Sequence, residues 1–122
     1  LFINKSPDDH IANFLMGELY FSIQNYNTSE FYLNKSLALN QRDYLCLYYL
    51  GMCYFSKNDY VTAAKYFKKT IKLEPDHAGT HFNLALVYHA LGKTREVKKE
   101  TNIIYMLDQN LHNELSAIIE KK

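Results

Sequence analysis

The chain has 122 residues, one domain's length, with 48% hydrophobic and 22% charged residues and only 4 Gly and 2 Pro, the composition of a folded, helix-leaning chain rather than a disordered one. A formal net charge of +1 supplies no strong field, which argues against bulk attraction to nucleic acid or anionic lipid. No apolar run reaches the roughly 20 residues that a membrane-spanning helix needs; the longest, Tyr44 to Phe55, predicts a buried helix and no membrane insertion.

Residues 1–9 come first in the chain. They sit in register with the close of a repeat, Pro7 aligning with Pro75, and are expected to be the end of a truncated preceding unit. An offset of 34 residues then brings the rest of the chain onto itself, in units 10–43, 44–77 and 78–111. Met16-Gly17 falls on Leu50-Gly51 and on Leu84-Ala85; Tyr20 falls on Tyr54 and Tyr88; Leu39 falls on Leu73 and Leu107. Each unit predicts two helices. In the middle one, Leu47, Leu50, Gly51 and Tyr54 mark one face of the first helix. Asn58 can adopt the left-handed conformation that ends it, and Asp59 can cap the next. The second helix carries Ala63, Ala64, Phe67, Ile71 and Leu73 and stops before Pro75. Gly92 takes the place of Asn58 in the third unit, and Asn27 with Glu30 reads as a helix cap in the first. The small residues Gly17, Gly51 and Ala85 suit a close helix crossing. Beyond 111, the spacing of Leu111, Leu115, Ile118 and Ile119 predicts a capping helix over 112–122 with one wet face.

The middle unit, with Leu47, Leu50-Gly51, Tyr54, Tyr60, Ala63, Phe67 and Pro75, resembles the tetratricopeptide repeat, and the resemblance covers nearly the whole chain. The outer units depart from the pattern: Ser29, Leu33 and Ser36 stand for Ala, Phe and Ala in the first, and Val97, Thr101 and Ile104 in the third. The resemblance implies an all-α, right-handed superhelical solenoid of antiparallel helix pairs, three repeats plus a C-terminal capping helix. It also implies that the first helix of each pair lines a concave face. The partner-binding positions it brings to that face include Phe14, Glu18 and Phe21 in the first unit, and Tyr48, Tyr49, Met52 and Phe55 in the second. In the third they are Phe82, Asn83, Leu86 and His89. Some family members hold a peptide's terminal carboxylate there with Lys, Arg and Asn. Those positions carry Phe14, Glu18, Tyr48 and Met52 here, and of the pattern only Asn83 remains. An apolar or amphipathic partner segment therefore suits the face better.

Other constellations carry less. His77 and His81 are spaced for one helix face, but no third ligand follows, so no metal and no cofactor is expected. Lys65, Lys68, Lys69 and Lys72 share one face of a second helix, a stripe read as a solvated outer surface. Cys46 and Cys53 lie two turns apart, about 10 Å, beyond disulfide reach. They read as small buried hydrophobes and favour a reducing, cytoplasmic setting; nothing else locates the protein. Asn4, Asn27 and Asn34 begin glycosylation-type triplets of the kind an Asn-rich chain produces by chance. No nucleophile, base and orienter set is evident, so no enzyme and no catalytic residue is expected. The expected function is a protein-interaction scaffold that binds a protein or peptide segment with apolar anchors. The alternatives are a homo-oligomerisation module, or a regulatory or targeting domain of a larger enzyme.

Overall fold

The computed structural model describes residues 9–120. Among these are seven helices and no strand: α1 (His10–Ser22), α2 (Tyr26–Leu39), α3 (Tyr44–Ser56), α4 (Tyr60–Leu73), α5 (Ala78–Ala90), α6 (Thr94–Leu107) and α7 (Gln109–Glu120). The preceding-repeat segment expected at 1–9 lies outside the described residues except for Asp9, as do Lys121 and Lys122.

Short polar side chains start the helices by satisfying free backbone N–H groups. The Asp9 carboxylate accepts from the N–H of Ile11 and Ala12, and Asp43 accepts from Leu45 and Cys46. Asp59 accepts from Thr62, as expected. In the first repeat the cap is Asn25, which accepts from Thr28, and not Asn27. Asn27 already lies in the first turn of α2, where its side-chain oxygen accepts from Lys57 Nζ.

The first helix of each pair ends the same way. Gln24, Asn58 and Gly92, spaced by 34, all have positive φ, at 64°, 65° and 73°. The next residue's N–H then reaches five residues back at 2.9 Å, from Asn25 to Tyr20, Asp59 to Tyr54 and Lys93 to Tyr88. That bond turns the chain through a three-residue connection into the second helix of the pair.

The pairs α1–α2, α3–α4 and α5–α6 pack within repeats, α2–α3 and α4–α5 pack between them, and α7 closes on α5 and α6. The result is an all-α solenoid. Gly17 and Gly51 mark the close crossings inside a pair. A Cβ at Gly17 would lie 2.7 Å from Leu33, and one at Gly51 2.6 Å from the Phe67 ring. In the third repeat the residue aligned with Leu33 and Phe67 is the smaller Thr101, and the glycine's counterpart is Ala85. The serines that replace alanine in α2 work as hydrogen-bond donors. Ser29 Oγ donates to Gly17 O and Ser36 Oγ to His10 O, both at 2.6 Å.

The core runs along the solenoid in three clusters. Leu33, Cys46, Leu50 and Cys53 join the first two repeats. Ala63, Phe67, Leu84 and Val87 join the second and third. Ala85, Ile104 and Leu115 tie α7 to the third. The last helix begins at Gln109, earlier than expected, because the Asp108 carboxylate accepts from the N–H of Leu111 at 3.0 Å.

Candidate partner-binding face

The first helices of the three pairs carry the eleven candidate positions: Phe14, Glu18 and Phe21 on α1; Tyr48, Tyr49, Met52 and Phe55 on α3; Phe82, Asn83, Leu86 and His89 on α5. Several of them form one side-chain network. The Tyr49 ring meets Phe14 at 5.7 Å and Phe21 at 5.5 Å, both edge-on, and Tyr48 at 5.7 Å. The Tyr49 hydroxyl donates to Glu18 at 2.9 Å. Burial and that bond push its pKa up to about 12. Tyr48 continues the network, packing on His77 and Phe67, while its hydroxyl accepts from Asn83 Nδ2 at 3.0 Å. α1, α3 and α5 are thereby linked side chain to side chain. Such edge-on ring contacts add about 0.5–1.5 kcal/mol each beyond the area they bury.

Ten of the eleven side chains are half-buried, and Asn83 is buried. Asn83 also donates to Gly79 O at 3.0 Å, so both of these hydrogen bonds lie within the chain. Met52 and Phe55 lean on the Phe67 cluster, and Phe82 and Leu86 on the Ile104 cluster. The face is thus apolar and partly engaged in holding the repeats together. Leu45, also on α3, is exposed beside it.

A second apolar feature lies beside this face, and the repeat register points to Ile11 and Leu15 of it but not to Leu19 and Ile23. Ile11, Leu15, Leu19 and Ile23 form a line along α1 and are 57%, 40%, 53% and 62% exposed. Moved by 34, Leu15 becomes Tyr49 and Leu19 becomes Cys53. In α3 those positions pack against the first repeat.

The other singled-out residues have internal roles. His77 caps α5, its Nδ1 accepting from the Thr80 N–H at 3.2 Å. His81 is buried, with Nδ1 2.6 Å from Glu100 Oε1 and Nε2 2.7 Å from Pro75 O. Cys46 Sγ donates to Leu33 O at 2.9 Å, and burial pushes its thiol up to about 12. No group of three His, Cys, Asp or Glu side chains among the described residues is placed to hold a metal ion. No described helix is long and apolar enough to cross a membrane.

Stacked helix pairs of this period, crossing at Gly17 and Gly51 and presenting their first helices on one face, define a tetratricopeptide-type repeat protein. Residues 22–99 match the family model for the anaphase-promoting complex, cyclosome, subunit 3, and the chain belongs to that family.

Solved structures share the fold. The first tetratricopeptide domain of Spaghetti (RPAP3), bound to the HSP90 peptide SRMEEVD, superposes with a TM-score of 0.84 at 18% identity, over 93% of this chain and 91% of that one. The Arabidopsis OM64 tetratricopeptide domain gives 0.84 at 9% identity, over 92% and 94%. A crystal structure of MamA gives 0.82 at 18% identity, over 98% and 80%. Against other MamA structures the chain spans only 58% to 62% of their length. No curated protein matches the sequence.

Proposed function

We propose that the chain is a protein-interaction module that seats an apolar or amphipathic segment of a partner against α1, α3 and α5. The observation that carries this reading is the chemistry of the face. Its eleven positions include six large apolar or aromatic groups besides the two tyrosines, Asn83 and the ionisable Glu18 and His89, but no Lys or Arg. Of the polar groups, Asn83 is bonded to Tyr48 and Gly79, and Glu18 to Tyr49. The RPAP3 domain, of the same fold, is bound to an acidic peptide. The present face lacks the cations for such a tail and offers ring edges and Met52 instead. Membership in the subunit 3 family fits a part that works inside a protein assembly.

Peptides selected from a random displayed library on the whole chain test this. They should carry apolar anchors and bind at least about tenfold more weakly to Met52→Lys with Leu86→Lys, because a charge then faces each anchor. Circular dichroism should stay helical. Selected peptides that bind the double variant unchanged would falsify the assignment.

A second reading is assembly through the free line on α1. Ile11, Leu15, Leu19 and Ile23 are exposed together, whereas the α3 equivalents of Leu15 and Leu19, Tyr49 and Cys53, are packed against the first repeat. Light scattering over a concentration series should then show association that Leu15→Glu with Leu19→Glu abolishes. A monomer at every concentration removes this reading.

A further inference from the structure

The lysine stripe expected to be a solvated surface lines a cavity. Lys65, Lys68, Lys69 and Lys72 project from one face of α4, at spacings that bring them over the same side of the helix. With Lys93, from the turn between α5 and α6, they rim a cavity of about 520 Å3. Its floor is apolar: Ala64 and Val61 from α4, Tyr88 and Leu91 from the other side. Lys69 and Lys72 also border a second cavity of about 520 Å3, where Leu37, Leu47 and Leu73 supply apolar surface.

Two features separate this site from an ordinary wet helix face. First, among the described residues none of these five lysines has a carboxylate within ion-pair distance, and the Lys69 ammonium lies over the Tyr66 ring at 5.2 Å instead. The ion pairs among the described residues are Lys57–Glu30 and His81–Glu100, and neither involves these lysines. Glu96 and Glu100 act on the Tyr88 hydroxyl, but neither lines the cavity, and Glu100 is held by His81. Like charges lining one cavity repel, and an anionic partner relieves them. Second, Val61 is 67% exposed among these cations, an apolar group with no cover. Nucleic acid fits less well. Tyr88 is the only aromatic lining the cavity; it is 7% exposed, and the Lys68 ammonium lies 5.9 Å from its ring centre, so no platform for stacking a base is available.

We propose that this α4–α5 cavity docks an acidic protein segment. One apolar side chain of that segment sits against Val61 and Leu91, and flanking Asp or Glu carboxylates meet Lys65, Lys68, Lys72 and Lys93. The site is separate from the α1–α3–α5 face and takes a partner of opposite character.

Fluorescence anisotropy with labelled synthetic peptides on the whole chain tests it. The probes are a Glu-rich peptide with a central Leu, its Glu→Gln form, its Leu→Ser form and a single-stranded oligonucleotide of equal charge. The Glu–Leu peptide should bind, weaken as salt rises, and lose about tenfold or more in affinity on Lys65→Glu with Lys68→Glu and Lys72→Glu. Both altered peptides should bind more weakly, and Met52→Lys with Leu86→Lys should leave binding intact. Should the triple variant lose helicity, Val61→Ser provides the same comparison through the anchor. The proposal is overturned if the Glu–Leu peptide does not bind, or if its Glu→Gln form binds equally. It is also overturned if the oligonucleotide binds more tightly, or if binding follows the Met52 and Leu86 variant instead.

Discussion

His81 and Glu100 show how one exchanged residue changes a repeat. Tyr20 stacks on Tyr32 at 5.7 Å and Tyr54 on Tyr66 at 5.5 Å, the same pair one period apart. In the third repeat Tyr88 keeps its place, but Glu100 stands where the second tyrosine would be, and His81 where the first two repeats have Asn13 and Leu47. Both ring nitrogens of His81 face acceptors, so the imidazole is held as a cation that donates twice. Burial alone would lower its pKa. The bonds to Glu100 and Pro75 O and the nearby charges of Glu100 and Asp76 outweigh burial and raise it. The sign of the pH effect follows. The stability contributed by His81 is complete below the unfolded value of about 6.5 and is lost as pH rises through the higher folded value. Urea unfolding across that window should show wild type losing stability relative to His81→Gln. Equal slopes would remove the charged pair from the account. Glu100→Ala should cost about 3 kcal/mol at pH 6, the low end for a broken buried pair, because the imidazole can shed its proton. Gln24 offers a gain. It occupies the left-handed position that Gly92 fills without strain, so Gln24→Gly should raise stability by about 0.5–1 kcal/mol in the same assay.

At the scale of elements, the helix pairs are set by how closely their axes approach. Gly51 lets the Phe67 ring lie where a methyl group would stand, and Phe67 is fully buried. Gly51→Ala must push that ring aside and should destabilise by about 1–3 kcal/mol. Adding Phe67→Leu to Gly51→Ala should cost less than the sum of the two single changes, since the smaller side chain frees the space. Strict additivity in denaturant unfolding would show that the crossing does not depend on this contact. The Leu33 and Gly17 pair makes the same point with a branched side chain in place of the ring.

At the scale of the molecule, the same repeat position meets different surroundings along the solenoid. Leu19 lies on the open side of α1, 53% exposed; its equivalent Cys53 is fully buried against the first repeat. Leu19→Glu should therefore change stability by no more than about 0.5 kcal/mol. Cys53→Glu, which sets an unpaired charge in the core, should cost at least about 3 kcal/mol. Thermal melts of the two variants read this directly, and similar losses would show that α1 is covered in solution. The two proposed docking surfaces follow the same layout: first helices supply an apolar face, and the second helix α4 supplies a cationic one.

The period of 34, the helix ends at Asn58 and Gly92, the cap at Asp59 and the crossings at Gly17 and Gly51 were all legible in the sequence, because each depends on residues a few positions apart or on a repeated pattern. The choice of Asn25 over Asn27 as cap was not, since both are competent and only the exact first turn selects one. The candidate face was legible as a set of positions. That Asn83 is bound to Tyr48 and that Tyr49 gathers Phe14, Phe21 and Glu18 needed the stacking of three repeats. The His81–Glu100 pair and the lysine-rimmed cavity were decided by tertiary structure alone. Side chains 19 residues apart meet only once α5 and α6 have paired, and a stripe of lysines becomes a site only where a neighbouring helix and turn give it a floor and a far wall.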